Sequence, residues 1–216
     1  MADQISFKTR VRNTIVQYAP QYYSFYVCHD YLLLSESFSD SPYYVISAEK
    51  DNYLHLTGVS TTLSPSDFFS KCLNGSLSED DFDLAPNEQM VKNAKGTIRR
   101  KIKALPFIFD LMDTSCYVEE HFCKNAIYCS FASSDGACTM GFVTTPTARP
   151  KTLLIGNELD VNSSSHIKAI LSKSRDEDKY TTITSGSYED FKASFQVIQD
   201  LLSDNLALEF RKAFMK

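Results

Sequence analysis

From residue 117 onward the chain falls into short runs: YVEEHF, AIYCSFAS, ACTMGFVTT, KTLLIG, HIKAILSKS and KYTTIT. They are rich in β-branched and aromatic residues and are divided by turn signals such as Ser134-Asp135-Gly136 and Arg175-Asp176-Glu177-Asp178, so they predict an antiparallel meander. The first half is patterned differently. Pro65 behind Ser64, with Asn74-Gly75 downstream, predicts a short helix over 65–73. Ile98, Ile102, Leu105, Ile108 or Phe109 and Met112 recur at i, i+3, i+4 spacing within a helix from about Glu88 to Asp113. The runs YYVISA (43–48) and YLHLTGV (53–59) flank the polar EKDN and predict a hairpin. The aromatic-rich first 40 residues predict a helix, a break at Pro20, then helix or strand. Tyr188, Phe191, Phe195, Ile198, Leu201, Leu202 and Leu206 predict a closing helix over 187–216. The expected architecture is α+β: one domain over 1–216 with an antiparallel sheet of four to six strands and helices packed on one face. Segments 1–40 and 187–216 are its helical extensions, and 43–184 is its core.

Composition narrows the class. At 43% hydrophobic and 23% charged residues the chain is globular in make-up. No run approaches the roughly 18–20 apolar residues of a membrane span, so no membrane partner is expected. The first residues, MADQISFKTRVRN, carry scattered charges and no apolar stretch, which predicts a cytoplasmic protein whose six cysteines are free thiols. A net charge of −5 argues against a non-specific nucleic-acid coat, yet Lys92, Lys95, Arg99, Arg100, Lys101 and Lys103 crowd one segment. Cys116, His121, Cys123, Cys129 and Cys138 lack the close pairs a zinc site uses, and no phosphate-loop or G-x-S-x-G motif occurs. Neither a metal nor another cofactor is expected.

The remaining chemistry centres on His55. Read as a strand, residues 53–58 turn Leu54 and Leu56 into the core and place Tyr53, His55 and Thr57 on the opposite face. An imidazole beside a hydroxyl, with Lys or Arg nearby, is a metal-free set for cleaving RNA: imidazole moves protons and the cations stabilise charge on phosphorus. The plainer reading of His55 is a hydrogen-bonded strand residue. Arg99, Arg100 and Lys103 lie off the apolar stripe of their helix, as a phosphate-binding patch or as a solvated face, whereas Lys101, next to Ile102, flanks the stripe. Strand alternation can bring Ser130, Ser133, Lys151, Thr152, Lys173, Lys179 and Tyr180 to one sheet face. Glu119 and Glu120 are candidates for a second acid or base by position alone.

Several of these pieces occur in a recognisable order. Tyr53-Leu-His-Leu-Thr-Gly58, Asp67-Phe-Phe69, Gly75-Ser-Leu-Ser78, the helix Arg100–Leu105, Pro150-Lys-Thr-Leu-Leu154 and Lys179-Tyr180 together resemble phage-associated nuclease-like domains of the barnase, EndoU, colicin E5/D and RelE class, over residues 43 to 184. The resemblance implies a small antiparallel sheet with preceding helices, in proteins carried by phages and mobile elements of bacteria. It also implies a metal-independent ribonuclease or toxin that cleaves RNA by attack of a ribose 2′-hydroxyl on the adjacent phosphate. On that basis His55 is the general acid or base, Thr57 a phosphate or orienting contact and Lys101 a transition-state cation. Arg99, Arg100, Lys151, Thr152, Lys179 and Tyr180 are substrate contacts, RNA is the partner, and a cognate antitoxin or host protein is a further one. The alternative is a non-enzymatic phage-borne binding or inhibitor protein acting on a host protein.

Overall fold

The computed structural model of the chain describes residues 5–85 and 91–215. Its first helix, α1 (Phe7–Tyr22), is capped by the Ser6 hydroxyl, which accepts from the Thr9 amide. Val11, Ile15, Ala19 and Tyr22 form its buried stripe. The helix runs through Pro20, which is exposed, and ends in a wide turn over Tyr23–Val27 instead of breaking at the proline. Strand β1 (His29–Ser35) follows, then β2 (Tyr44–Ile46).

The predicted hairpin partner of residues 43–48 is absent, because residues 53–57 are helical. Helix α2 (Asn52–Thr57) buries Tyr53, Leu56 and Thr57 and ends at Gly58, whose φ of 75° is left-handed. Three and four residues apart, those buried positions share one helical face. Helix α3 (Pro65–Leu73) starts on the Ser64 cap as its sequence predicts. Helix α4 (Val91–Ala104) passes into a tighter 3₁₀ turn over Leu105–Asp110, so the long helix expected to Asp113 ends at Ala104, two residues before Pro106. Its predicted start near Glu88 and the side chain of Lys92 lie outside what is described.

The remaining strands are β3 (Tyr117–Glu120), β4 (Cys123–Lys124), β5 (Ile127–Tyr128), β6 (Phe131–Ser134), β7 (Cys138–Thr144), β8 (Ala148–Ile155), β9 (Ser164–Ser174) and β10 (Thr182–Ser185). They do not make the expected four-to-six-stranded sheet. Eight strands run in the order β1-β2-β8-β7-β6-β3-β9-β10, and the extra pairing of β1 with β9 closes seven of them into a barrel. The N-terminal segment supplies the closing strand: YLLL in β1 is buried on both faces, so it reads as an unbroken apolar run without alternation. Closure is antiparallel apart from β2 and β8, which meet in parallel at the single pair Ile46–Ala148.

Helices cover two sides of this sheet, not one. Leu33 of β1 and Ile170 of β9 join the main core with Phe131, Met140, Phe142 and the buried faces of α1 to α4. Their neighbours Leu32, Leu34, Ala169 and Leu171 point the other way, into a second core. That core is filled by Phe191, Phe195, Ile198, Leu206 and Phe210 from α5 (Tyr188–Phe191), α6 (Phe195–Ile198) and α7 (Asp204–Phe214). The single closing helix of the sequence reading is thus three pieces joined by 3₁₀ turns, the last restarted by a Ser203 cap.

Candidate functional site

Beyond Ala148, β8 has no ladder with β2 among the described residues, and α2 and α4 pack there instead. A cavity of about 380 Å³ opens at this place, lined by His55 and Leu54 of α2, Gly58, Val59, Lys101 of α4, Ile127 of β5, and Lys151 and Thr152 of β8. Four residues singled out in the sequence, His55, Lys101, Lys151 and Thr152, therefore converge although 97 positions separate the first from the last.

His55, Lys101 and Lys151 are each held by an identifiable local device. His55 sits in the last turn of α2 with its imidazole exposed. The Lys101 ammonium donates to the His55 main-chain carbonyl, one of the acceptors a helix C-terminus leaves without an intrahelical donor. A Cβ on Gly58 would lie 2.9 Å from Lys101 Cδ, so the lysine stem crosses directly over the glycine that ends α2. Burial lowers the Lys101 pKa to about 8, since desolvation disfavours the charged form of an amine. Lys151 is the extra residue of a bulge. Gly141 pairs with Thr152 and Phe142 with Pro150, leaving Lys151 unopposed, and bulges re-aim the side chain they insert. Its ammonium donates to the Tyr128 carbonyl at 2.9 Å. That bond ties the cavity wall to the small hairpin made by β4 and β5.

The other expected site residues are elsewhere. Thr57 is fully buried, and its hydroxyl donates back to the Leu54 carbonyl at 2.8 Å. A helix in place of a strand puts it on the core side, away from His55, so it is not a phosphate contact. Arg99 lies with its guanidinium 5.5 Å from the centre of the Phe7 ring on α1, and Arg100 borders a neighbouring cavity. Lys179 is exposed, while Tyr180 is buried in the second core and pairs with Leu202; neither lines the His55 cavity. Sequence reasoning also missed Lys124, Asn125 and Ile127. Asn125 and Ala126, with φ of 50° and 62°, form a two-residue turn between the paired Lys124 and Ile127, and the polar Lys-Asn step inside an apolar run was its signal.

A second cluster lies at Glu120. Among the described residues, Asp40, Glu120 and His121 alone bring three metal-capable side chains together, with ligand atoms within 4.8 Å of one another. The carboxylate of Glu120 already accepts from the Ser39 amide and hydroxyl, the Asp40 amide and the Tyr44 hydroxyl. Burial raises its pKa, but these four donors outweigh burial and hold it below the usual range. Its evident work is to pin the 36–43 segment to β3. All six cysteines are free thiols, and none joins a ligand cluster among the described residues.

No described helix is long and apolar enough to cross a membrane. A family model described as phage-Barnase-EndoU-ColicinE5/D-RelE like nuclease4 matches residues 14–189, from within α1 to the first turn of α5. Neither the curated proteins nor the solved structures include a match to the chain.

Proposed function

The chain belongs to the phage-Barnase-EndoU-ColicinE5/D-RelE like nuclease4 family, and from that premise we propose that it cleaves RNA at the His55 cavity without a metal ion. The observation that carries the reading is the meeting of His55, Lys101, Lys151 and Thr152 around one open cavity at the gap in the barrel wall. One exposed imidazole and two ammonium groups suit a phosphodiester whose neighbouring 2′-hydroxyl attacks phosphorus. In this step the 2′-oxygen–phosphorus bond forms and the 5′-oxygen–phosphorus bond breaks, leaving a 2′,3′-cyclic phosphate. His55 takes the proton of the attacking hydroxyl, and imidazole is the side chain suited to this near neutral pH. Lys101, with a pKa of about 8, is mostly protonated at neutral pH yet acidic enough to pass a proton to the leaving 5′-oxygen. Lys151 brings its charge to the non-bridging oxygens, where negative charge grows, and the buried Thr152 forms the wall behind them.

Purified protein incubated with mixed RNA in EDTA is expected to yield cyclic-phosphate ends. His55→Ala is expected to lower the rate by about 10²–10⁴-fold, the range for loss of a general acid or base. Absence of such ends, or ends formed equally well by the variant, overturns the reading.

A further inference from the structure

A second cavity, of about 550 Å³, adjoins the first, and Lys101, Ile127 and Thr152 are walls of both. A ligand whose phosphate lies between the two lysines can therefore extend into it without leaving the protein surface. We propose that this second cavity is a nucleoside pocket, receiving the base and ribose of one nucleotide that flanks the phosphate at His55. This deepens the RNA-cleavage reading and rests on it.

Three features point to a nucleotide. The first is the division of chemistry within the pocket. Ile127 and Leu154 give it an apolar side, and both pack on a small cluster of Phe122, Cys129, Ala132 and Leu159 that holds them in place. Arg100, Lys101 and Lys124 against the single carboxylate of Glu158 leave an excess of positive charge, as a flat base on an anionic backbone requires. Glu158 is engaged by Lys124 at 2.8 Å, which moderates its repulsion of a phosphate and fastens the hairpin to the loop after β8.

The second feature is the main chain. Residues 152–155 of β8 line the pocket on the stretch that has no ladder with β2 among the described residues. These four residues pair with β7 along their other edge, so the amides and carbonyls directed away from β7 are the ones left to read the polar edge of a base.

The third is Asn125. Its left-handed backbone at the tip of the β4–β5 turn brings a carboxamide to the same cavity. One amide offers both a donor and an acceptor to a base edge. The volume falls within the roughly 300–1,000 Å³ of small-molecule sites, enough for one nucleoside but not for a stacked run of bases.

The test is binding, read separately from cleavage. Each of the four nucleoside 3′-monophosphates is titrated in EDTA into the full chain and into His55→Ala, with ribose 5-phosphate and inorganic phosphate as controls, while methyl NMR shifts of Ile127 and Leu154 are followed. The expected result is saturable binding that shifts both methyl groups, with at least fivefold preference for one base over the weakest and at least tenfold over either control. His55→Ala, which loses the imidazole beside the phosphate, should weaken all four nucleotides alike and leave the ratio between bases as in the parent. Asn125→Gly suits the left-handed position and removes only the amide; it should reduce the base preference to under twofold. Thr97→Phe, on the α4 rim, should weaken all four nucleotides by tenfold or more while inorganic phosphate binding is retained. Equal affinity for nucleotides and inorganic phosphate, or silent Ile127 and Leu154 methyls, overturns the pocket even if RNA is cleaved. Selective nucleotide binding by a protein that cleaves no RNA leaves the pocket standing and removes the cleavage reading.

Discussion

Lys101 is where burial and chemistry meet most directly. Desolvation brings its pKa to about 8, close enough to working pH for the residue to act as a proton donor as well as a cation. The two roles respond differently to substitution. If Lys101 is the proton donor of the proposed reaction, kcat/KM should fall as pH rises through about 8, because the ammonium form is lost on the alkaline side. Lys101→Arg keeps the charge at every accessible pH, since guanidinium stays protonated above pH 12. That variant should lose the alkaline limb near 8 and, having a much weaker acid, should run at least tenfold slower at neutral pH. A profile in which the limb stays in place after substitution would assign it to another group. Stability follows the opposite sign from activity: between about pH 8 and the unfolded pKa near 10.5, the unfolded chain binds more protons at this position, so this one group favours folding as pH rises.

At the scale of elements, α2 decides the site, and it was the hardest element to read. In YLHLTG the apolar positions alternate as a strand requires, while Tyr53, Leu56 and Thr57 equally satisfy helical spacing, and six residues are too few to separate the periods. The disambiguating signal was Gly58, a left-handed helix end rather than an exit from a sheet. His55 could still be singled out because both periods leave it outside the core, whereas Thr57 was misplaced because its direction depends wholly on the period. Lys151 was legible only as a polar residue in a strand. The bulge that aims it depends on pairing with β7, which local sequence does not encode. Gly58 also offers a test of the element. Alanine there bears a left-handed backbone costing about 1–2 kcal/mol, or roughly 2–8 °C in Tm for a chain this size, and its Cβ must displace the Lys101 stem. Gly58→Ala should thus lose activity tenfold or more at 25 °C while remaining folded. Gly58→Asn, better suited to the left-handed region, should recover part of the Tm without recovering activity. Full activity in both variants would show that the lysine stem is not placed by the glycine.

Over the whole molecule, the barrel separates two packing problems. The main core joins α1 to α4 to the sheet and fixes the gap between β2 and β8, whereas the second core seals the outer face of β1 and β9 beneath α5 to α7. Apart from the first residues of α5, that second cover lies beyond the matched family region, which ends at 189. Strand runs and helix caps in the sequence foreshadowed most of these elements, but not closure, because the pairing of β1 with β9 joins residues about 140 positions apart. Phe210 is the centre of the outer core, fully buried and in ring contact with Tyr188, Phe191, Phe195 and Phe214. Removing it leaves a large void, and Phe→Ala substitutions in cores cost about 3–5 kcal/mol, a major share of the roughly 5–15 kcal/mol that holds a domain folded. Phe210→Ala should therefore unfold at much lower denaturant, and Phe210→Leu, which keeps most of the volume, at slightly lower denaturant than the parent. Since no residue of this core lines the His55 cavity, RNA cleavage per folded molecule should be unchanged in Phe210→Leu. A fall in kcat without a matching fall in folded fraction would mean that the outer cover is coupled to the His55 cavity through β1 and β9, the two strands whose opposite faces enter both cores.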